Sequence, residues 1–74
     1  MLLSVRSTLV ALRGVRTQEQ VSRATGISQV DISRYERGRR TPPLAKLATL
    51  LDYYDASDAA RLAVYRGLAD EAAA

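Results

Sequence analysis

Residues 17 to 38, TQEQVSRATGISQVDISRYERG, contain two sets of helix start and stop signals within a very short stretch of chain. Thr17, followed three residues later by Gln20, forms a capping box, in which each residue satisfies a free backbone N–H of the other. It predicts a helix from about Gln18 to Ala24, and Gly26 lies just past the end of that helix. A helix of barely two turns buries little surface, so this stretch must belong to a fold of several short helices.

A second short helix is predicted directly after the first. Ser28 is its N-cap candidate, and the helix runs to about Arg37 before Gly38 stops it. Only Ile32 and Tyr35 can point inward from this helix. The polar side chains between them are regularly spaced, which indicates that something other than core packing uses them.

The flanking sequence predicts three further helices. Residues 2 to 13 form an amphipathic helix that ends at Gly14, because apolar side chains recur there at three- and four-residue steps. These side chains are Leu2, Val5, Leu9 and Leu12. The segment from Arg39 to Pro43 cannot be helical, since each proline excludes the helical conformation for the residue before it. Pro43 suits the first position of the fourth helix, whose pattern fades at about residues 53 to 55.

The fifth helix is predicted over about residues 57 to 71, with either Ser57 or Asp55 as its cap. It carries two apolar stripes, one formed by Leu62, Tyr65 and Ala69 and the other by Val64 and Leu68. The chain is therefore predicted to form one all-α domain of five short helices over residues 1–74. Its expected core consists of Leu9, Leu12, Val21, Ile27, Ile32, Tyr35, Leu44, Leu47 and Leu51.

The composition argues against an enzyme. The chain has 74 residues, near the lower size limit for a self-supporting core, and contains no cysteine and no histidine. Because disulfides, the usual zinc ligands and the commonest general base are missing, we expect a binding module without catalytic activity or a cofactor. Arg6 and Arg13 interrupt the N-terminal run MLLSVRSTLVALR, which argues against a signal peptide or membrane span. A cytoplasmic protein that does not bind membranes is expected.

The net charge of +3 is unevenly distributed along the chain. Nine basic and three acidic residues lie in positions 1 to 46, whereas two basic and five acidic residues lie in positions 47 to 74. Ten of the eleven bases are arginine, which favours bidentate contacts to phosphates or nucleobases. The first part of the chain is predicted to face a polyanion. The alternative is that these arginines form an ordinary solvated surface.

Two short helices around a glycine-containing turn, with polar residues on the outer face of the second, form a helix-turn-helix, here at about residues 17–38. The combined spacing resembles the Cro and phage-repressor family, also called Xre-like, over about residues 9 to 57. The resemblance rests on Thr17, Gln18, Val21, Gly26, Ile27, Ser28, Ile32, Tyr35, Glu36, Gly38, the two prolines, Leu44, Leu47, Leu50 and Leu51. It implies a compact five-helix lambda-repressor-like domain whose second short helix enters a DNA major groove.

The resemblance also implies which residues contact DNA. Base contacts map onto Gln29, Val30, Ser33 and Arg34, and a phosphate contact maps onto Gln18. The chemistry of these side chains agrees, because glutamine pairs with adenine, arginine pairs with guanine, and valine offers a methyl contact to thymine. The hydroxyl of Ser33 suits either a base or a phosphate.

Phosphate binding is predicted for two groups of residues. The first group lies at helix N-termini, where free backbone N–H groups favour an anion: Thr17, Gln18 and Ser28. The second group supplies positive charge beyond the end of the second short helix: Arg37, Arg39 and Arg40. These contacts position a protein on DNA without reading its sequence.

Two acidic residues lie close to these positions. Asp31 either stabilises the start of its helix or accepts a hydrogen bond from a cytosine amino group, and both interpretations stay open. Glu36 is predicted to be structural and to be held by an arginine. The first-helix arginine that commonly pairs with this position in the family would fall on Ala11, and Arg13 is its nearest substitute.

The expected function is transcriptional regulation, by a repressor that occupies an operator. One module contacts few base pairs, so a homodimer on double-stranded DNA with an inverted-repeat operator is expected. The candidate interface consists of the apolar residues left over once the helix-turn-helix is built: Tyr53, Tyr54, Leu62, Tyr65 and Leu68. The alternative is an antitoxin or other protein-interaction module, whose fifth helix binds a toxin or another protein and for which DNA binding is secondary.

Overall fold

Five α-helices follow one another in the computed structural model, which describes residues 5–73 and the side chains of residues 5–70. They are α1 (Val5–Arg13), α2 (Gln18–Thr25), α3 (Gln29–Glu36), α4 (Leu44–Tyr53) and α5 (Asp58–Ala73). No strand occurs within residues 5–73, so the predicted all-α class is confirmed. The first apolar position predicted for the first helix, Leu2, lies outside the described residues.

The caps of the two short helices form as predicted. The hydroxyl oxygen of Thr17 accepts the Gln20 backbone N–H at 3.0 Å, and the Gln20 side-chain oxygen accepts the Thr17 N–H at 2.9 Å. Gly26 ends α2 in the left-handed conformation, with φ of 77°, which glycine adopts without steric cost. The hydroxyl oxygen of Ser28 then accepts the Asp31 backbone N–H at 3.1 Å and starts α3.

The ends of the other helices differ slightly from the predictions. Pro43 occupies the capping position before α4 rather than its first turn, because its ψ of 150° is extended and the helix begins at Leu44. Ser57 is the cap of α5, since its hydroxyl oxygen accepts the Ala60 backbone N–H at 3.1 Å. Asp55 instead makes the tight turn after α4, with φ of 52°. The open choice between the two caps is therefore resolved in favour of Ser57.

The core lies between all five helices and contains most of the predicted residues. The buried apolar side chains are Val5, Leu9, Val21, Ile27, Ile32, Tyr35, Leu47, Leu50, Leu51, Tyr54, Ala56 and Val64. Leu12 packs against this cluster but is only partly buried. The prediction for Leu44 is wrong, since this residue is 66 % exposed. It is the first residue of α4, one turn before the helix reaches the core at Leu47.

The arrangement of the helices leaves α3 uncovered on one side. α2 packs against α3 and α4, while α1 packs against α3 and α5. Only Ile32 and Tyr35 of α3 are buried, as predicted. No helix between residues 5 and 73 combines the length and hydrophobicity that a membrane span requires.

Candidate nucleic-acid interface

The outer face of α3 borders an open groove of about 710 Å³. Seven side chains line it: Gln18, Gln29, Val30, Ser33, Arg34, Arg37 and Arg39. All four residues predicted to read bases therefore lie together, with three of the residues predicted to bind phosphate. The groove carries three arginines, and none of the acidic side chains within residues 5–70 lines it. Its surface combines positive charge with amide, hydroxyl and methyl groups, which are the groups that proteins use on base edges and phosphates.

Thr17, Ser28 and Arg40 do not line this groove. The hydroxyl oxygens of Thr17 and Ser28 accept backbone N–H groups in the two caps, so their structural role is established. Arg40 instead borders a smaller cavity, together with Arg6 and Gly38. Phosphate binding by these three residues stays a prediction.

Glu36 connects the groove residue Gln18 to α1 through two hydrogen bonds. Its carboxylate is 7 % exposed and accepts two hydrogen bonds, from Arg13 Nε at 2.7 Å and from Gln18 Nε2 at 2.9 Å. The guanidinium of Arg13 also donates to the carbonyl oxygen of Arg16 at 2.7 Å, which secures the turn between α1 and α2. The sequence left the partner of Glu36 open, with Arg13 as the nearest substitute, and the structure shows that Arg13 holds it.

The bond between Gln18 and Glu36 was not predicted from the sequence. A glutamine at the start of α2 has an obvious role as a surface residue, and only the fold shows that the end of α3 reaches it. An amide nitrogen carries two hydrogens, and Gln18 donates one of them to Glu36. Glu36 thereby restricts the orientation of the side-chain amide of Gln18, a residue that lines the groove.

Comparison with known proteins agrees with this geometry. A family model described as a helix-turn-helix domain matches residues 7–64, most of the chain. The chain belongs to the helix-turn-helix family. No curated protein and no solved structure gives a significant match. In this helix-turn-helix domain α2 and α3 are the two helices of the motif, and a DNA-binding role follows from the family.

Asp31, on α3 of the helix-turn-helix, lies next to the groove but does not line it. Its side chain is 18 % exposed and has three cations around it. Lys46 Nζ donates to Oδ2 at 3.3 Å, while terminal nitrogens of Arg34 and Arg40 lie 3.8 and 3.9 Å from Oδ1. Sequence reasoning missed all three partners. Lys46 and Arg40 lie on a different helix and on the loop before it, whereas the spacing of Arg34, three residues after Asp31 on the same helix, could have indicated its contact.

The tyrosines at the end of α4 lie beside Arg16, in the turn between α1 and α2. Tyr54 is 7 % exposed, and the Arg16 guanidinium carbon lies 5.5 Å from the ring centre of Tyr53 and 5.9 Å from that of Tyr54. Burial, together with the nearby negative charge of Glu36, raises the pKa of Tyr54 to about 12. The prediction that Tyr54 is an interface residue is therefore wrong, because its apolar ring is needed in the core. Tyr53 is half-buried beside it.

The remaining interface candidates lie on α5 and divide between its two stripes. Val64 is fully buried and Leu68 packs against the core, so this stripe is satisfied within the domain. Leu62 is 51 % exposed and Tyr65 is 40 % exposed, which leaves the other stripe open to solvent. Leu68 is thus a core-facing residue, and only Leu62 and Tyr65 of the five candidates offer a large apolar surface to a partner.

Proposed function

We propose that this domain is a sequence-specific regulator of transcription that binds double-stranded DNA as a homodimer and represses by occupying an operator, in the manner of Cro and phage repressors. The observation that carries the proposal is the groove along α3, where four candidate base-reading side chains adjoin Gln18, Arg37 and Arg39. A helix that is exposed on its polar face and held by a second helix is the arrangement with which a helix-turn-helix enters the major groove. No catalytic activity is part of the proposal.

The role proposed for each residue of the groove follows from its side-chain chemistry. Gln29, Val30, Ser33 and Arg34 lie on the exposed face of α3 and are assigned to base edges. Arg37 and Arg39 follow the end of α3, where positive charge suits the DNA backbone. Gln18, directed by Glu36, is assigned to a phosphate beside the start of α2.

Dimerisation is proposed because one α3 of eight residues reaches few base pairs. The exposed pair Leu62 and Tyr65 on α5 is the proposed contact between two copies. A two-fold axis through this contact would place the two α3 helices on successive turns of one DNA face, roughly 34 Å apart. The bound site would then be an inverted repeat.

Selection of bound duplexes from a random pool tests the proposal directly. The expected result is an enriched inverted repeat whose half-sites are centred roughly 10 base pairs apart, with affinity that falls steeply as salt increases. A chain carrying Gln29→Ala and Arg34→Ala together is the control, and it should enrich no such site. If the unaltered chain enriches no sequence, the proposal of sequence-specific regulation is wrong.

A second candidate function is an antitoxin or other protein-interaction module that uses α5. The observation in its favour is that the exposed Leu62 and Tyr65 lie on the same helix as the alanines of an apolar groove between α1 and α5. This candidate predicts that Leu62→Asp abolishes capture of the partner protein, whereas the affinity of the isolated chain for any DNA site stays weak. Strong operator selection by the isolated chain favours the first function over the second.

A further inference from the structure

A cavity of about 160 Å³ lies between the start of α1, the end of α3 and the loop before α4. It is separate from the groove along α3, because the two have no lining residue in common. Its volume is close to that of an engineered cavity of about 150 Å³ that holds benzene, so a small ligand fits. The polar side chains that line it are Arg6, Tyr35, Arg40 and Thr41, and none of the acidic side chains within residues 5–70 does so.

The hydroxyl of Tyr35, on the wall of this cavity, is unpaired. Tyr35 is 1 % exposed, and its buried hydroxyl has no hydrogen-bond partner among the described residues. Folded proteins rarely leave a buried hydroxyl unpaired, because the group loses its bonds to water and gains none in return. The ring alone would fill the core equally well. The hydroxyl therefore points to a partner that reaches it from the cavity.

The two arginines of the cavity are only loosely engaged by other groups. Arg6 pairs with none of the acidic side chains in the described part of the chain, and its Nη1 donates to the carbonyl oxygen of Arg37 at a long 3.4 Å. Arg40 Nη1 lies 3.9 Å from Asp31 Oδ1, too far for a hydrogen bond. Since a guanidinium carries five N–H donors, both arginines keep donors for a ligand that offers several negatively charged oxygens.

Gly38 allows Arg6 to take its place in the cavity wall. Gly38 has φ of 71°, and a Cβ added to it would lie 2.9 Å from Arg6 Cδ, closer than real Cβ contacts. Any other residue would therefore push the Arg6 side chain away. Arg6 is itself exposed, so a small outward movement of this side chain can open the cavity towards the Tyr35 hydroxyl.

We propose that this cavity binds a small tetrahedral oxyanion, such as a phosphate group, between Arg6, Arg40 and the hydroxyl of Tyr35. The two guanidinium groups supply the charge, and the tyrosine hydroxyl donates to one of the ligand oxygens. The bound anion would link α1, α3 and the following loop, which stabilises the folded domain. This site goes beyond the proposed function, because it lies outside the groove assigned to DNA.

Titration of the full chain with inorganic phosphate tests the proposal, at constant pH and with chloride keeping the ionic strength constant. The backbone amide NMR signals of Gly38 and Thr41 should shift and reach saturation, which gives a dissociation constant. The midpoint of thermal unfolding should rise by about 6 °C at ten times that concentration. Changes that grow without saturation would reflect only the general stabilising effect of phosphate on proteins, and would overturn the proposal.

Tyr35→Phe is the decisive variant, because it removes the hydroxyl and keeps the ring. It should weaken phosphate binding about tenfold, and Arg6→Gln should do the same. Arg66→Gln is the matched control, since Arg66 lies on α5 outside the cavity and its loss changes the net charge equally. Unchanged phosphate affinity of Tyr35→Phe, or equal weakening by the two arginine variants, overturns the proposal.

The stability of Tyr35→Phe without phosphate gives an independent check. The variant should unfold no more easily than the unaltered chain, because the hydroxyl has no partner to lose within the described residues. A clearly lower unfolding midpoint would mean that the hydroxyl already has a partner, such as a buried water, and would overturn the proposal.

A free phosphate compound and a phosphate of the DNA backbone offer the same chemistry, and DNA-binding measurements distinguish these two sources. If the ligand is free, Tyr35→Phe keeps its affinity for duplexes, and phosphate still shifts the Gly38 and Thr41 signals when the protein is saturated with DNA. If the ligand is a backbone phosphate, Tyr35→Phe weakens binding to all duplexes by the same factor, and inorganic phosphate competes with DNA. Both results support an oxyanion site. The phosphate titrations contain no DNA, so their failure is distinguishable from failure of the proposed function.

Discussion

Arg13 Nε lies 2.7 Å from Glu36 Oε2, so an ion pair joins the last turn of α1 to the last turn of α3. The two side chains are 23 and 7 % exposed, which makes the pair much drier than an ordinary surface salt bridge. Gln18 donates to the second oxygen of the same carboxylate. One acidic side chain therefore joins three helices and contacts Gln18, which lines the groove along α3.

Arg13→Ala should destabilise the domain by about 3 kcal/mol, because it leaves the buried Glu36 carboxylate with a single neutral donor. Urea unfolding followed by circular dichroism measures the change. Arg23→Ala is the matched control: Arg23 pairs with Glu19 on the exposed surface of α2, and its loss should cost less than about 1 kcal/mol. Equal losses for the two variants would contradict a special role for the Arg13 pair.

Gln29→Ala and Arg34→Ala should each weaken operator binding by about 1 to 3 kcal/mol and relax sequence preference at one position per half-site. The reason is that each removes a pair of hydrogen bonds to one base edge. Fluorescence anisotropy with single-position operator variants measures both effects. The assignment to base reading fails if affinity for operator and random DNA drops by the same factor.

Arg39→Ala should weaken binding to every duplex alike and lower the salt slope by about one unit, because a phosphate contact carries no sequence information. Arg66→Ala removes the same charge from α5 and should leave the slope unchanged, since Arg66 is not part of the groove. The measurement is affinity at several salt concentrations for operator and random DNA. A shift in the preferred sequence with Arg39→Ala would show that this residue reaches a base.

Tyr65→Asp should convert dimers into helical monomers that bind a full operator no better than a half-site, because a charge in an apolar contact is left without water or a partner. Analytical ultracentrifugation and circular dichroism measure assembly and folding. Leu44→Asp is the control, since Leu44 is an exposed leucine on α4 and the same charge there should leave the dimer intact. An unaltered chain that is monomeric while it saturates its operator would refute this assembly.

The free energy of unfolding should fall as the pH rises from about 10, the ordinary pKa of tyrosine, to about 12, the pKa of Tyr54 in the folded protein. Below pH 10 the tyrosine is neutral in both folded and unfolded chains. Between the two values only the unfolded chain ionises it, which favours unfolding by up to about 2 kcal/mol. Tyr54→Phe should remove this part of the pH dependence, as measured by the difference in urea midpoints between the two proteins across that range. An identical alkaline decline in both proteins would assign it to other groups.

The local features of the fold were predictable from short stretches of sequence. The caps at Thr17 and Ser28 and the stop at Gly26 form as expected, because each involves hydrogen bonds between residues at most four positions apart. The exposed face of α3 was also predictable, since its only inward positions are Ile32 and Tyr35. The helix order follows from these local patterns, whereas the choice of groove residues on α3 was implied by the resemblance of the sequence to a known family.

Two features depended on the tertiary structure. One is which residues pair with the charged side chains, and the other is whether each tyrosine is buried or exposed. Glu36 meets Arg13 and Gln18 across 23 and 18 positions of chain, and Asp31 meets Lys46 across 15. Tyr54 and Leu44 both carry a large apolar side chain, yet Tyr54 is buried and Leu44 is exposed. The difference arises because burial depends on where distant helices end. Caps and turns are interactions between near neighbours in the chain, so they can be predicted from the sequence. Burial and long-range ion pairing arise only when the packed helices bring distant side chains together.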